Sequence, residues 1–519
     1  MRLGIIILMF SVALAGEGQG PAPSGDKPIK CGWGFHPPAR LPRIASPLAR
    51  PTRDMSFISL TGAFAVHYDT AGVHSPNLTD SDQDGTPDWV EAVAVALDSS
   101  RNLLLALGFD PAPDDGDGVY DVYLKEYNGG TYGNTDPDGY DSQGRLTSYI
   151  TVDNDFAEDE NYYTYGLDGA RVTVAHEYFH AVQMGYKAVT GDLFFYELAS
   201  TWFEDVAFPE IDDWVLWFQG GTGSFGRNPT QSLAGTDGYS VAIFGHYLTE
   251  WYGLNFMLHL WERFQSQGAL AALRAELLFQ GGSLSGVWID FVAGLFLNGA
   301  ENDYHFYPDQ ILLDPPVIDP PWILSDSLTL SFPSLRDATA SIQSLQMSGP
   351  SNLRLEVRSA PEPFTARLVL DSDGLTPYNL TDASLFLSRL NSLSKMVVVV
   401  GAQSGDLDLI ATVIDTSYNI EFALDELIPN PVLPGRSSFT GLQLTYRVGE
   451  PSLATRHRLA IFNLLGQEVY RRDWVRDVGE GTHTLMEDIP AMRHWASGVY
   501  LLTLSIGRHT LKRTFTVIQ

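Results

Sequence analysis

The stretch His176-Glu177-Tyr178-Phe179-His180 constrains this chain more than any other. An α-helix turns once in about 3.6 residues, so the two histidines stack on one face and can each turn an imidazole nitrogen toward a common ion. Glu177 stands one step round the helix, within reach of a water on that ion. Val172, Ala175, Phe179 and Val182 recur at apolar helical spacing, and Leu167 to Ala175 reads as a turn running into a helix start. The motif is therefore expected on a core helix, in a pattern suited to metal-assisted hydrolysis. The competing reading is two polar imidazoles on a half-buried helix.

A zinc site that does chemistry needs a third protein ligand and an open corner for water. Phe195 to Asp205 reads as a second amphipathic helix on which Glu197, Thr201 and Glu204 share a face. Glu197 lies 17 residues past His180 and Glu204 lies 24 past it, so either leaves room for a turn around Thr190-Gly191-Asp192. Glu197 is preferred as the ligand, with Glu204 the other candidate; Glu204 and Asp205 are otherwise expected to support the site or the fold.

The pattern His-Glu-x-x-His followed by a helix of the form Glu-x-x-x-x-Trp-x-Glu-Asp resembles the gluzincin clan of zinc metallopeptidases. The string Val174 to Gln183 is similar to a family of secreted bacterial metalloproteases within it, and the likeness runs from about Phe57 to about Asn298. The resemblance implies zinc bound by His176, His180 and Glu197. Thermolysin-like members carry Asn before that glutamate, where this chain has Tyr196. The mechanism expected is proton abstraction from a zinc-bound water by Glu177, with the ion polarising the scissile carbonyl. Gluzincins commonly add a Tyr or His from a later helix to hold the oxyanion. Asp237 to Leu248 offers Tyr239 and His246, with Tyr239 favoured; a lone Tyr or His on an apolar helix also reads as a packed residue with a satisfied polar tip.

The amino terminus, Met1-Arg2 followed by the apolar run Leu3 to Leu14 with the small residues Ala13 and Ala15, has the form of a signal peptide over residues 1–15. That run is shorter than the ~20 residues needed to span a bilayer, so no integral membrane segment is expected. Asp and Glu number 63 against 32 Lys and Arg, a formal charge of −31. Such a balance argues against a nucleic-acid partner, because phosphate binding needs a basic footprint. The single cysteine, Cys31, rules out an internal disulfide framework. It sits in a Pro-rich stretch (Pro37, Pro38, Pro42, Pro47, Pro51) expected to be extended and cleavable. A thiolate is a soft zinc ligand, so Cys31 is either an inert thiol or a latency device of the kind used by matrix metalloprotease pro-segments.

Asp80-Ser81-Asp82-Gln83-Asp84-Gly85-Thr86-Pro87-Asp88-Trp89-Val90-Glu91 carries oxygen donors at positions 1, 3, 5, 9 and 12 with Gly at 6, the pattern of an EF-hand loop. Asp80, Asp82, Asp84, Thr86, Asp88 and Glu91 are the expected calcium ligands. Nothing before the loop can form an entering helix, while Trp89 to Leu107 reads as an exiting one, so the segment resembles the half-hands of thrombospondin type 3 or dockerin repeats. An acidic turn capping that helix is the alternative. Asp114 to Gly118 lacks the spacing and reads as a turn.

The expected architecture is multidomain: an α+β zincin-like catalytic domain, sheet first and then a mainly helical lobe, followed by two all-β sandwich domains. Strands are expected at Ala63 to Tyr68, Val119 to Leu124 and Ser148 to Val152, the last serving as the edge along which a peptide substrate lies. Helices are expected from Ala170 through Phe296. The boundaries are drawn at 16–55 for the Pro-rich pro-segment or linker, 56–318 for the metalloprotease domain, 319–425 for a β-sandwich and 426–519 for an immunoglobulin-like domain. In that last part Pro429-Asn430-Pro431, Asn463-x-x-Gly466-Gln467-x-Val469, Ser497-Gly498-Val499-Tyr500 and a terminal basic strand resemble the carboxy-terminal sorting domain of the bacterial type IX secretion system. The resemblance implies outer-membrane export and a secreted or cell-surface location, with the secretion machinery as partner. The function expected is a secreted zinc-dependent endopeptidase acting on peptide or protein substrates, with calcium in a structural role. The alternatives are a cell-surface binding protein with a structural or degenerate zinc site, and a zinc hydrolase of non-peptide substrates.

Overall fold

Runs rich in β-branched and aromatic residues build the first sheet, and the helices follow. The computed structural model describes residues 28–31 and 50–518, apart from 190, 222, 300–305, 308, 319, 372–374, 381–383, 415–422, 425–426, 428–440, 449–451, 479–480 and 507–508. The signal-peptide reading of residues 1–15, most of the Pro-rich stretch and Pro429-Asn430-Pro431 lie outside the described residues. The chain divides into two compact units, residues 1–190 with 203–216 and residues 191–202 with 217–519.

The first unit holds β1 (Ile29–Cys31), β2 (Met55–Ile58), β3 (Phe64–Tyr68), α1 (Asp88–Ala106), β4 (Tyr120–Lys125), β5 (Thr131–Tyr140), β6 (Leu146–Asp153) and α2 (Gly166–Tyr186). Its six strands lie in the order β1-β5-β6-β4-β3-β2. β3, β4 and β6 run parallel, with Val66 opposite Val122 and Val122 opposite Ile150. All three of these side chains are buried, as expected where helices cover a parallel sheet. α1 connects β3 to its parallel neighbour β4 as a βαβ crossover, and it packs beside α2. β5 turns back antiparallel to β6, and β1 adds parallel to the outer side of β5, pairing Ile29 with Thr131 and Cys31 with Gly133.

One expectation is corrected here. The strand at Tyr149 to Val152 is not an edge, because β6 lies between β5 and β4; the strand beyond it is β5, and β1 occupies that strand's outer side. Ahead of the prolines, Ile29–Cys31 forms β1, with Lys30 and Cys31 buried.

Two helices, α3 (Leu193–Ala207) and α4 (Asp213–Gln219), have residues in both units. The second unit continues with α5 (Ala242–Tyr252), α6 (Asn255–Phe264), α7 (Ala269–Phe279) and α8 (Leu284–Gly294). α8 rests on a sheet that follows, where Gly401 leaves room for the Ile289 side chain and Asp290 pairs with Arg367 at 2.6 Å. The strands there are β7 (Trp322–Leu324), β8 (Leu328–Arg336), β9 (Ser341–Met347), β10 (Ser351–Ser359), β11 (Phe364–Asp371), β12 (Leu375–Asn379), β13 (Leu385–Leu390), β14 (Lys395–Ala402) and β15 (Ser404–Ile414). They form sheets β13-β10-β15-β8 and β12-β11-β14-β9-β7, which close on one apolar core including Leu353, Leu368, Val398 and Leu409.

A separate core, with Leu442, Leu459, Ile461, Leu502, Leu504 and Phe515, is closed by β16 (Ala423–Leu424), β17 (Gly441–Val448), β18 (Ser452–Phe462), β19 (Glu468–Val478), β20 (Gly481–Asp488), β21 (Gly498–Ile506) and β22 (His509–Val517). The Asn463 to Gln467 motif is the β18–β19 turn. Asn463 Oδ1 accepts the backbone N–H groups of Leu465 and Gln467, and Gly466 takes a left-handed φ of 77° that suits glycine. Tyr500 donates its hydroxyl to Ala496 O and stacks on Trp495 and Phe515. The molecule is thus mixed α/β, with several sheets and eight α-helices among the described residues. No helix of the described residues is long and apolar enough to cross a membrane.

Candidate metal centre

α2 carries the His-Glu-x-x-His motif and is buried from Val172 to Met184, so the motif sits on a core helix as its apolar spacing predicts. The rings of His176 and His180 have centroids 4.6 Å apart at 86°. Each ring is held through Nδ1: His176 donates to Glu204 Oε1 at 2.6 Å, and His180 to Gln183 Oε1 at 2.8 Å. Anchoring one nitrogen fixes the ring and presents Nε2 to an ion. Glu204 is therefore a support for His176, one of the two roles open to it in the sequence.

Cys31 Sγ completes a buried donor group with the two imidazoles, one donor atom of each lying within 4.8 Å of the others. Glu197 is buried on α3, two helical turns before Glu204. Thiolate and imidazole donors suit zinc. Glu177 Oε2 accepts from Thr135 Oγ1 at 2.7 Å and faces Cys31 Sγ at 3.5 Å, while Oε1 is buried with no hydrogen-bond partner. Burial raises the Glu177 carboxyl above the usual range, against the lowering effect of His176, His180, Thr135 and Cys31. A buried carboxylate oxygen without a partner beside such donors is what a water-activating base would present.

Gly133 explains how β5 comes so close to the motif. A Cβ there would lie 2.8 Å from Thr173 Cγ2 and 3.1 Å from Glu177 Cγ, so only glycine lets the strand pass and bring Thr135 to Glu177. Thr135, Gln183, Lys30 and Asp213 were not singled out from the sequence. Gln183, three residues after His180 on a helix, is the one whose spacing carried a signal.

Tyr239 begins a short 3₁₀ turn in the second unit, half-buried, its ring 5.2 Å from that of Trp217. The preceding Gly238 has a φ of +86°, and a Cβ there would lie 2.5 Å from Glu197 Cβ, so the backbone entering Tyr239 packs directly on the Glu197 turn of α3. His246 is buried on α5, and burial pushes its imidazole down to about 3. Asp205 accepts from Trp214 Nε1 at 3.1 Å, a structural role.

The acidic loop before α1 folds on itself. Asp80 accepts Gly85 N–H, Asp82 accepts Asp84 N–H, Asp84 accepts Thr86 N–H, and Asp88 accepts Ser81 N–H and its hydroxyl. Carboxylate oxygens of Asp80, Asp82 and Asp88, and of Asp82, Asp84 and Glu91, group within 4.8 Å. Asp80 Oδ1 is buried with no hydrogen-bond partner, and the carboxyl of Glu91 lies above its usual range through desolvation and the charges of Asp84, Asp82, Asp88 and Asp80. These features fit a calcium ion. Asp114 caps its own turn by accepting Gly116 N–H, and Asp115 pairs with Arg50.

No protein-family model matches the chain, and no curated protein matches it in sequence. Among solved structures it is similar to the trimeric ectodomain of the C. elegans fusion protein EFF-1 at 12% identity, covering 24% of this chain and 29% of that one, with a TM-score of 0.14. The glycoside hydrolase domain of Endo-D from Streptococcus pneumoniae R6 is matched at 11% identity, over 37% of this chain and 33% of that one, with a TM-score of 0.13. The adhesin domain of Epf from Streptococcus pyogenes is matched at 11% identity, over 37% of this chain and 77% of that one, with a TM-score of 0.15. The chain thus spans about a third or less of the first two structures, and likenesses this slight decide neither fold nor activity.

Proposed function

We propose that the chain is a secreted zinc-dependent endopeptidase with a zincin-like catalytic region of sheet and helices. The observation that carries this reading is the buried donor group of His176, His180 and Cys31 beside the partnerless Oε1 of Glu177. His176, His180 and Glu197 would hold the ion. Bound zinc supplies an acidified water and polarises the carbonyl it faces. Glu177 takes the water's proton at Oε1 while Thr135 fixes Oε2, then returns a proton to the leaving amine. β5 lies against the motif helix, and its outer edge, which β1 takes at Thr131 to Gly133, is where an extended peptide would be laid. Tyr239, next to Glu197, is assigned as the oxyanion donor. Calcium in the Asp80 to Glu91 loop is structural, and the carboxy-terminal β domain serves export through a type IX system.

The test joins metal analysis to digestion of an unstructured protein. The purified mature protein is expected to hold about one zinc per chain and to cleave casein, with Glu177→Ala keeping the metal and losing cleavage. Glu197→Ala should lose metal. Retained zinc without cleavage in the wild type would instead favour a binding protein.

A further inference from the structure

Lys30 is only 1% exposed, a degree of burial that lysine reaches almost only when paired. Its Nζ meets Glu204 Oε2 at 2.6 Å and pairs with Asp213 Oδ2, and it lies 5.5 Å from the centre of the Tyr132 ring. The wall of this pocket is fixed independently of Lys30. Tyr132 Oη donates to Asp213 Oδ1 at 3.3 Å and accepts the backbone N–H groups of Tyr163 and Thr164. Glu204 is fixed by His176. Emptied of its cation, the pocket would take an ion-pair partner from two buried carboxylates, which is costly. It is a pocket that selects a positive charge.

The next residue is Cys31, which reaches the metal donors, so consecutive residues of β1 fill the pocket and the centre together. β1 does this while pairing through its backbone with β5, the mode in which a peptide adds to a sheet edge. We propose that residues 28–31 are a built-in plug that imitates a substrate. In it the Cys31 thiolate takes the corner of the metal centre otherwise open to water, and Lys30 fills a subsite, walled by Asp213, Glu204 and Tyr132, that receives a lysine side chain of the substrate once the plug has left. This rests on the reading of the centre as a hydrolytic metal site.

Cobalt(II) in place of zinc separates the two readings. In the full chain, the visible bands of four-coordinate cobalt should be joined by a near-ultraviolet thiolate-to-cobalt band, and Cys31→Ser should keep the first and lose the second. Visible bands without the thiolate band in the wild type overturn the plug and leave the metal centre standing; no visible bands at all overturn both. Cys31 is the chain's single cysteine, so a thiol reagent reports on it alone. In the metal-free chain Lys30→Gln should speed that reaction about tenfold or more, and an unchanged rate overturns the anchoring role of Lys30. The subsite is read in the Lys30→Gln, Cys31→Ser chain with peptides differing only in lysine against norleucine. Lysine at one position should raise kcat/KM by about tenfold or more, and adding Asp213→Asn should bring the ratio to within about twofold of parity. Equal turnover of both peptides at every position before Asp213 is changed overturns the subsite.

Discussion

His176 and His180 are each held from behind, one by a carboxylate and the other by an amide. An imidazole that already donates through Nδ1 has its tautomer chosen before any ion arrives, and the carboxylate partner also makes it a stronger donor. Glu204 should therefore matter to metal affinity through the ring it holds. Glu204→Ala is expected to weaken zinc binding by about 10–100-fold, read by competition with a chromogenic chelator, with the helix content unchanged. This carboxylate could be placed on the right helix face from sequence alone, because periodicity fixes which side chains share a face. Its partner could not, since nothing in the spacing says whether Glu197 or Glu204 lies level with His176. Lys30 and Asp213 were illegible for a different reason: they are 183 positions apart and meet only through the tertiary fold.

β5 shows where local propensity misleads. Its sequence, Thr131-Tyr-Gly-Asn-Thr-Asp-Pro-Asp-Gly-Tyr140, is rich in the residues that mark turns, yet it forms a ten-residue strand. The position explains the tolerance. β5 has only β6 and the three-residue β1 beside it, and its register shifts between Pro137 and Gly139, so the proline sits at a bulge rather than inside a regular ladder. By contrast β3, β4 and β6 were legible because β-branched and aromatic residues recur along them and most of their side chains are buried. Gly133 has the most demanding place on the element. Gly133→Ala should push β5 off α2 at Thr173 and Glu177, costing about 1–3 kcal/mol as overpacking; the unfolding temperature and, once the 28–31 plug has been removed, casein cleavage should fall together. The loop ahead of α1 makes an independent prediction. Chelation of calcium should lower the melting temperature of the wild type, and Asp82→Ala with Asp84→Ala should abolish that response. An ion held at 100 times its dissociation constant contributes about 2.7 kcal/mol.

Across the whole molecule, chemistry and the carboxy-terminal β-structure occupy different stretches of chain. Every residue assigned to the metal centre and its oxyanion donor lies between Lys30 and Tyr239. The two later apolar cores, one built from Leu324 to Ala411 and the other from Leu424 to Val517, have no residue in common. The alternation that marks strands made both β regions legible. What it could not reveal is that α8 seats on the first of them, because the room for Ile289 depends on a glycine more than a hundred residues later. That seating argues that residues up to Ile414 are needed for the helical part to hold its shape, whereas the last core closes on itself. A chain ending after Ile414 should therefore keep its zinc and, once the 28–31 plug has been removed, cleave casein within about twofold of the full-length protein treated alike, as expected when a domain has its own core. Calorimetry should show the loss of one transition and little change in the others. Loss of zinc on this truncation would show that the last core supports the catalytic part, and would remove the case for treating it as a delivery domain.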